Sequence, residues 1–137
     1  MSGCKLVCVP PDVVSQVWPH IEGLIYVAMK KGDISSFEPV KQSVMDGKAL
    51  LWVAWDEEAQ NIKAAAITEL QKTEWSKFCI VVAAGGKDMN AWLDIGGPIY
   101  EFAKAEGCKA MRFIGRKGWK EVLPGWRVTR YVMERTL

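Results

Sequence analysis

The most constraining feature of this sequence is an unbroken apolar segment near its centre. Seven apolar residues run from Phe78 to Ala84, most of them small or β-branched. A continuous run of this length, bounded by turn residues, is typical of a strand buried on both faces of a sheet. The glycine pair Gly85-Gly86 is predicted to end this strand in a turn.

The next segment has the pattern of a helix followed by a second strand. The helix is predicted over Asp88–Glu106, with Gly96-Gly97-Pro98 kinking or dividing it, and the strand over Lys109–Ile114. Strand, turn, helix and strand make a βαβ unit with a right-handed crossover and two parallel strands. Because N–H groups at a helix N-terminus suit a phosphate, function is expected here first.

The chain before this unit predicts three further strands and a helical region. The strands span Cys4–Val9, Ala49–Asp56 and Ile62–Leu70, the last two joined as a hairpin, and the helices span about Asp12–Gly32 and Phe37–Asp46. Pro19 predicts either two short helices or one bent helix in the first of these regions. Ser35 with Glu38 forms a capping-box pattern, and Gly47 suits a helix stop.

After the βαβ unit, a short helical stretch is predicted over Trp119–Leu123 and a final strand over Trp126–Glu134, whose residues alternate. No repeat or linker divides the chain. With 137 residues, half of them apolar and a quarter charged, it is expected to form one α/β domain, residues 1–137, with a mixed sheet.

Composition limits the location and the chemistry. Met1–Pro11 has no long apolar core, so no signal peptide is expected, and no apolar run reaches membrane-spanning length. The four cysteines lack a framework spacing, which favours reduced thiols and a cytoplasmic location. His20 is the only histidine, so a zinc site at Cys4 and Cys8 lacks ligands.

Positive charge is concentrated at one end of the chain. Residues 104–137 contain nine Lys and Arg against three Asp and Glu, a net charge of +6, whereas residues 1–103 carry −4. Such a segment either attracts a polyanionic cofactor or nucleic acid or forms a solvated basic face. Nucleic-acid binding is the least favoured of these interpretations.

The order of elements resembles the GNAT superfamily of acyl-CoA N-acyltransferases. The resemblance is best in the pattern Ala103-x-x-x-Gly107, the strand Lys109–Ile114 and the pair Gly125-Trp126. The runs Gly115–Trp119 and Leu123–Trp126 look most like small GNAT-like proteins of tailed phages and prophages. The resemblance implies the order β-α-α-β-β-β-α-β-α-β, an antiparallel meander plus a crossover, with two parallel strands that splay apart.

In that family acetyl-CoA lies between the splayed strands, which implies a set of cofactor contacts on this chain. They are the backbone of Val81, Val82 and Ala83, a phosphate site at Gly85, Gly86, Lys87, Asp88 and Asn90, and Arg116 at the cleft edge. Lys87 stands where the family has Gln or Arg. Asn90 and Trp92 stand where it has glycines, so a plain strand-to-helix turn is the alternative.

The resemblance also implies an acid and a base, and here the chain departs from the family. Glu121 stands where a thiolate-protonating tyrosine is usual, so Tyr131 on the final strand, or Tyr100, is the substitute, unless each is a core tyrosine. A general base must take a proton from the acceptor ammonium. Glu69 is the leading candidate and Glu74 the second; the alternative for each is a solvent-facing carboxylate.

Two main functions follow from these patterns. The first is transfer of acetyl from acetyl-CoA to a small-molecule or peptide amine by direct attack on the thioester. The second is a non-catalytic, phage virion-associated or accessory protein with the same fold, which would act through contacts with a phage protein or a second copy. Binding of the cofactor discriminates between them.

Overall fold

The part of the chain that the structure describes forms a five-stranded sheet with helices on both faces. The computed structural model describes residues 4–32, 35–86, 97–114 and 125–137. Its helices and strands are β1 (Cys4–Cys8), α1 (Val14–Gly32), α2 (Phe37–Met45), β2 (Leu50–Asp56), β3 (Asn61–Lys72), β4 (Lys77–Gly86), α3 (Gly97–Ala105) and β5 (Ala110–Phe113). A 3-10 turn, Pro11–Val13, leads into α1. The predicted α/β class is confirmed.

The strands follow one another across the sheet in the order β1-β2-β3-β4-β5. From β1 to β4 each strand is antiparallel to the next, and β5 runs parallel to β4. The predicted meander, β2-β3-β4, and the predicted parallel pair are therefore both present. Parallel strands need a crossover connection, and α3 lies in the segment that joins β4 to β5.

Each face of the sheet is covered by different helices. The apolar residues of α1 recur every three or four positions, so that they line one side of the helix. This side of α1 packs, together with α2, over one face of the sheet. Its buried residues are Val14, Trp18, Ile21, Ile25 and Met29. On the other face α3 places Ile99 and Ala103 against Trp52 and Cys79. Among the described residues, no helix has both the length and the apolar content of a membrane span.

The ends of the first two helices differ in part from the prediction. Helix α1 continues through Pro19 to Gly32, so the alternative of two short helices is wrong. Helix α2 has Ser36 as its N-cap, with no hydrogen bond from the cap side chain, so the predicted capping box from Ser35 is wrong. The predicted stop at Gly47 is confirmed, since its φ of 76° is a left-handed conformation that glycine adopts without strain.

The glycine pair after the apolar run does not form a turn. Gly85 and Gly86 are the last residues of β4 and pair with Ala65 and Ala64 of β3, so the predicted break before them is wrong. A Cβ on Gly85 would lie 2.5 Å from the carbonyl oxygen of Leu24 in α1. Glycine is needed here because the backbone of a helix crosses the strand closely.

The predicted final strand is also absent. Residues 126–137 have no regular secondary structure, and the side chains beyond Trp126 are exposed. Alternation of side chains suits a strand, but a strand also needs a neighbour that accepts and donates its backbone hydrogen bonds. No described strand pairs with this segment. The predicted helix Trp119–Leu123 and the first part of Asp88–Glu106 lie outside the described residues, and α3 begins at the predicted Gly-Gly-Pro break.

A buried polar pair ties the centre of the sheet together. Trp52 Nε1 donates a hydrogen bond of 2.9 Å to Thr68 Oγ1, and both residues are buried. An indole N–H that loses its acceptor in the core keeps its desolvation cost without compensation. The pair therefore links β2 to β3 through side chains as well as through the backbone.

Thr68→Val is expected to lower the free energy of unfolding by about 1–3 kcal/mol, because it keeps the shape of the side chain and removes the acceptor. The urea-denaturation midpoint measures this effect. In the double variant Trp52→Phe/Thr68→Val the donor is gone as well, so its loss should be smaller than the sum of the two single losses. Additive losses would contradict the assigned hydrogen bond.

Candidate active site

The candidate site is centred on an irregularity in β4. Ile67 of β3 pairs with Ala83, but the next residue, Thr68, pairs with Val81, which leaves Val82 as an extra residue on β4. This arrangement is a β-bulge, which bends a strand and increases its local twist. Both Val82 and Ala83 pack on the core beneath α1. The strand β4 is therefore expected to change direction at Val82.

The parallel neighbour of β4 stops at the same level. Strand β5 pairs with β4 only from Phe78 to Val81, with Phe113 as the last partner. From Val82 to Gly86, no described strand pairs with the edge of β4 that faces β5. Backbone N–H and C=O groups on such an edge suit an extended ligand that makes strand-like hydrogen bonds. Among the residues that the structure describes, the bulge and the end of β5 thus leave a gap between the two strands.

Next to this gap, a charged row crosses one face of the sheet. Glu69 of β3 pairs with Ile80 of β4, and Ile80 pairs with Arg112 of β5. Residues paired across strands place their side chains on the same face. The guanidinium carbon of Arg112 lies 3.5 Å from the centre of the Phe78 ring, a cation–π contact. Glu69 and Arg112 are both partly buried.

Comparisons with solved structures point to one fold. A GNAT family acetyltransferase of Staphylococcus aureus matches with a TM-score of 0.63 at 12% identity, over 100% of both chains. An aminoglycoside acetyltransferase from a soil metagenomic sample, solved with sisomicin, matches with a TM-score of 0.66 at 10% identity, over 98% of this chain and 97% of that one. The fold is that of the GNAT acetyltransferases.

A further GNAT-fold neighbour is the glucosamine-6-phosphate N-acetyltransferase of Arabidopsis thaliana. It has a TM-score of 0.61 at 10% identity and covers 97% of each chain. Neither a family model nor a curated protein matches the chain. The resemblance to GNAT proteins is thus confirmed at the level of the fold, while the resemblance to phage-encoded proteins gains no support.

The predicted cofactor residues of this GNAT-fold protein divide into two groups. Val81, Val82 and Ala83 lie at the bulge, beside the gap that opens after the last β4–β5 pair. Gly85 and Gly86 lie at the end of β4, and a phosphate contact there stays a prediction although the turn is wrong. Outside the described residues are Lys87, Asp88, Asn90 and Arg116.

The two predicted bases lie at different distances from the bulge. Glu69 is one position along β3 from Thr68, the partner of Val81. Glu74 is exposed in the turn between β3 and β4, where Thr73 N–H donates to the carbonyl of Ser76 at 2.8 Å. Glu74 precedes β4, and the start of that strand is five residues, or about 16 Å, away from Val82. Glu69 is therefore the nearer candidate.

The two tyrosines also differ in their surroundings. Tyr131 is 82% exposed and does not lie on a strand, which corrects its predicted position, and its role as an acid stays a prediction. Tyr100 lies on α3, and its hydroxyl oxygen accepts a hydrogen bond of 3.3 Å from Trp126 Nε1. A hydroxyl that accepts one bond still has its own proton to donate. Tyr100 can thus donate a proton, and its hydroxyl has a hydrogen-bond neighbour in Trp126.

The cysteine at the centre of β4 is unsuited to covalent catalysis. Burial, and secondarily the nearby Cys108, raise the pKa of Cys79 above the ordinary thiol value of 9.0, while a hydrogen bond with Thr68 lowers it by less. The thiolate is the nucleophilic form, so this thiol is a weak nucleophile at neutral pH. Burial likewise raises the pKa of Cys8. Both residues serve as packing.

Two features of the site are not predicted by the sequence. The bulge at Val82 leaves no local signal, because the seven apolar residues around it look uniform. Arg112 is one of the nine basic residues of the segment 104–137, and the sequence does not distinguish it from the others. An arginine within a predicted, partly buried strand is the available signal, since a charge in such a position needs a partner.

Proposed function

We propose that this protein is an N-acetyltransferase that moves the acetyl group of acetyl-CoA to an amine. The observation that carries the proposal is the gap between β4 and β5, which opens beside the bulge at Val82. The fold likeness to acetyltransferases extends over nearly the whole chain. Pantetheine would lie along β4 and bond to the backbone of Val81, Val82 and Ala83, with the phosphates towards Gly85 and the segment after it.

The chemistry needs no covalent intermediate on the protein. Glu69 first takes a proton from the bound ammonium, directly or through water, which leaves a neutral amine. The amine attacks the thioester carbonyl carbon, a C–N bond forms, and the C–S bond breaks. The nitrogen then loses a second proton to solvent, and the departing CoA thiolate gains one, for which Tyr100 and Tyr131 are the candidate donors. Positioning of the two reactants supplies much of the rate enhancement in such a direct transfer. The products are an amide and CoA.

Acetyl-CoA is expected to bind and to protect the amides of β4. At a ligand concentration of ten times the Kd, hydrogen exchange of residues 82–86 should slow by roughly tenfold, since binding stabilises the bound form by mass action. Calorimetry measures the affinity and exchange mass spectrometry locates the contact. Lys87→Ala should weaken binding if its charge meets a phosphate, whereas Lys48→Ala, at an exposed position after α2, should not.

A Gly85→Val variant is a poor test of the cofactor site, because any side chain at Gly85 collides with α1. Absence of binding at millimolar acetyl-CoA would contradict the proposal. It would favour the alternative of a protein that keeps the fold and acts through a protein partner. Protection confined to residues outside β4 would contradict the placement of the pantetheine.

Acceptors are best searched for once binding is established. The solved neighbours include enzymes for aminoglycosides and for glucosamine 6-phosphate. Sisomicin and glucosamine 6-phosphate are therefore sensible first acceptors, and thiol release from acetyl-CoA is the readout. A cytoplasmic location, where acetyl-CoA is at hand and the four cysteines stay reduced, is part of the proposal.

A further inference from the structure

Arg112 is a partly buried cation, and none of the ion pairs found among residues 4–32, 35–86, 97–114 and 125–137 includes it. The ion pairs of the described residues are made by lysines, namely Lys41–Glu22, Lys77–Glu106 and Lys104–Glu101. The guanidinium carbon of Arg112 lies over the ring of Phe78, 3.5 Å from the ring centre. Phe78 itself is buried. Removing a charge from water is costly unless it is paired, and stacking on a ring offsets only part of that cost.

Stacking also prepares the guanidinium for a ligand. The ring of Phe78 holds one flat side of the group, so the N–H donors at its edge remain directed away from the ring. A planar fork of donors matches a carboxylate or phosphate in bidentate geometry, and fixing it beforehand reduces the entropy lost on binding. Arg112 therefore has the form of an anion-binding side chain.

The opposite charge lies on the same face, two strands away. Glu69, Ile80 and Arg112 form one row, and two strand spacings separate Glu69 from Arg112, a Cα distance of about 10 Å. The neighbouring residues Cys79 and Met111 pack towards α3 on the other face, which agrees with this assignment. The row thus has a carboxylate at one end, a guanidinium at the other, and an apolar side chain between them.

This row lies directly before the gap in which the thioester is proposed. Ile80 is followed by Val81, the last residue of β4 that pairs with β5, and then by the bulge residue Val82. A molecule held over Ile80 would therefore lie beside the reacting carbonyl. Its ammonium group would be attracted to Glu69 and an anionic group to Arg112.

We propose that the acceptor is a small amine that also carries a carboxylate or phosphate, and that Arg112 binds this anionic group. The inference rests on the proposed acetyl transfer and adds the substrate class. Glu69 attracts the ammonium end and Arg112 the anionic end, so the amine nitrogen is directed towards the thioester. Acceptors of the same size without an anionic group lose the contact with Arg112.

Matched acceptors test the proposal in steady-state kinetics. 4-Aminobutanoate is compared with butylamine, and glucosamine 6-phosphate with glucosamine, so that carboxylate and phosphate are distinguished. The anionic member of at least one pair should have a KM lower by roughly 10- to 100-fold, as expected for a charge-assisted hydrogen-bond pair. Arg112→Gln should abolish this preference and leave acetyl-CoA affinity unchanged. Arg112→Lys keeps the positive charge but loses the planar set of N–H donors, so it should retain part of the preference for the anionic acceptor.

Lys109→Gln is the matched control for charge, since it removes one positive charge just before β5 from an exposed side chain. It should leave the preference intact. Circular dichroism and thermal unfolding establish that each variant is folded, because Arg112→Gln also removes the contact with Phe78. Equal KM values within both acceptor pairs in the wild-type protein would overturn the inference, even if acetyl transfer is observed.

A readout without turnover separates the two proposals. In an NMR titration, 4-aminobutanoate or glucosamine 6-phosphate should shift the Nε–Hε resonance of Arg112, and butylamine and glucosamine, which lack the anionic group, should not. A shift without any acetyl transfer would reject the proposed reaction and support the anion site. Transfer without a shift, and without a preference between paired acceptors, would support the reaction and reject the anion site.

Discussion

Gly85→Ala is expected to lower the free energy of unfolding by about 1–3 kcal/mol, the usual cost of an overpacked core. The new Cβ would lie 2.5 Å from the carbonyl oxygen of Leu24 and 3.2 Å from the Cβ of Ala28. The first of these atoms belongs to the backbone of α1, so a side-chain rotation cannot relieve the contact. Either α1 must move away from β4 or the strand must distort at the end that borders the candidate site.

Gly23→Ala is the matched control for this substitution. Gly23 lies in the interior of α1, and nothing would be within 4 Å of its new Cβ. Alanine in a helix is favoured over glycine, so this variant should gain roughly 0.5–1 kcal/mol. Urea denaturation should therefore show a loss of stability for Gly85→Ala and a gain for Gly23→Ala. Equal stability of Gly85→Ala and the wild-type protein would mean that α1 does not cross β4 as described.

Ile25→Ala is expected to lower the free energy of unfolding by about 2–5 kcal/mol. Ile25 is completely buried in the core between α1, α2 and the sheet. Shortening it removes apolar contact area and leaves a cavity that the two helices fill only in part. Because the total stability of a domain is about 5–15 kcal/mol, this single change consumes a large share of it.

Val27→Ala tests the same helix on its solvent side. Val27 is 50% exposed, two residues beyond Ile25. Its truncation should change the stability by no more than about 0.5 kcal/mol, as is usual for surface substitutions. Chemical denaturation monitored by tryptophan fluorescence measures both variants. A similar loss for the two substitutions would contradict the assignment of the buried side of α1.

Much of the fold was predictable because the pattern of apolar and polar residues within a short segment indicates whether that segment is a helix or a strand. The apolar run from Phe78 to Ala84 predicts β4, and the three- and four-residue spacing along Asp12–Gly32 predicts α1 and its buried side. The hairpin between β2 and β3 follows from a polar link between two apolar runs. The parallel pairing of β4 and β5 follows from the helix between them.

The candidate site was predictable only in outline. Val81, Val82 and Ala83 were placed by the resemblance to GNAT proteins, and they lie at the bulge beside the gap. The bulge itself depends on how β4 and β3 align over their whole length, which no residue near Val82 reveals. Arg112 gains its role only from the ring of Phe78 beneath it and from Glu69 across the sheet.

By itself, the sequence determined the class of the fold, the order of its elements from β1 to β5 and the region where function should lie. These properties follow from hydrophobic periodicity and turn residues, which act between positions a few residues apart. Only the tertiary structure decided that Gly85-Gly86 continues β4, that Trp126–Glu134 is not a strand, and that Glu69 and Arg112 share a row. Each of these depends on a helix backbone, a partner strand or a register contributed by residues far away in the chain.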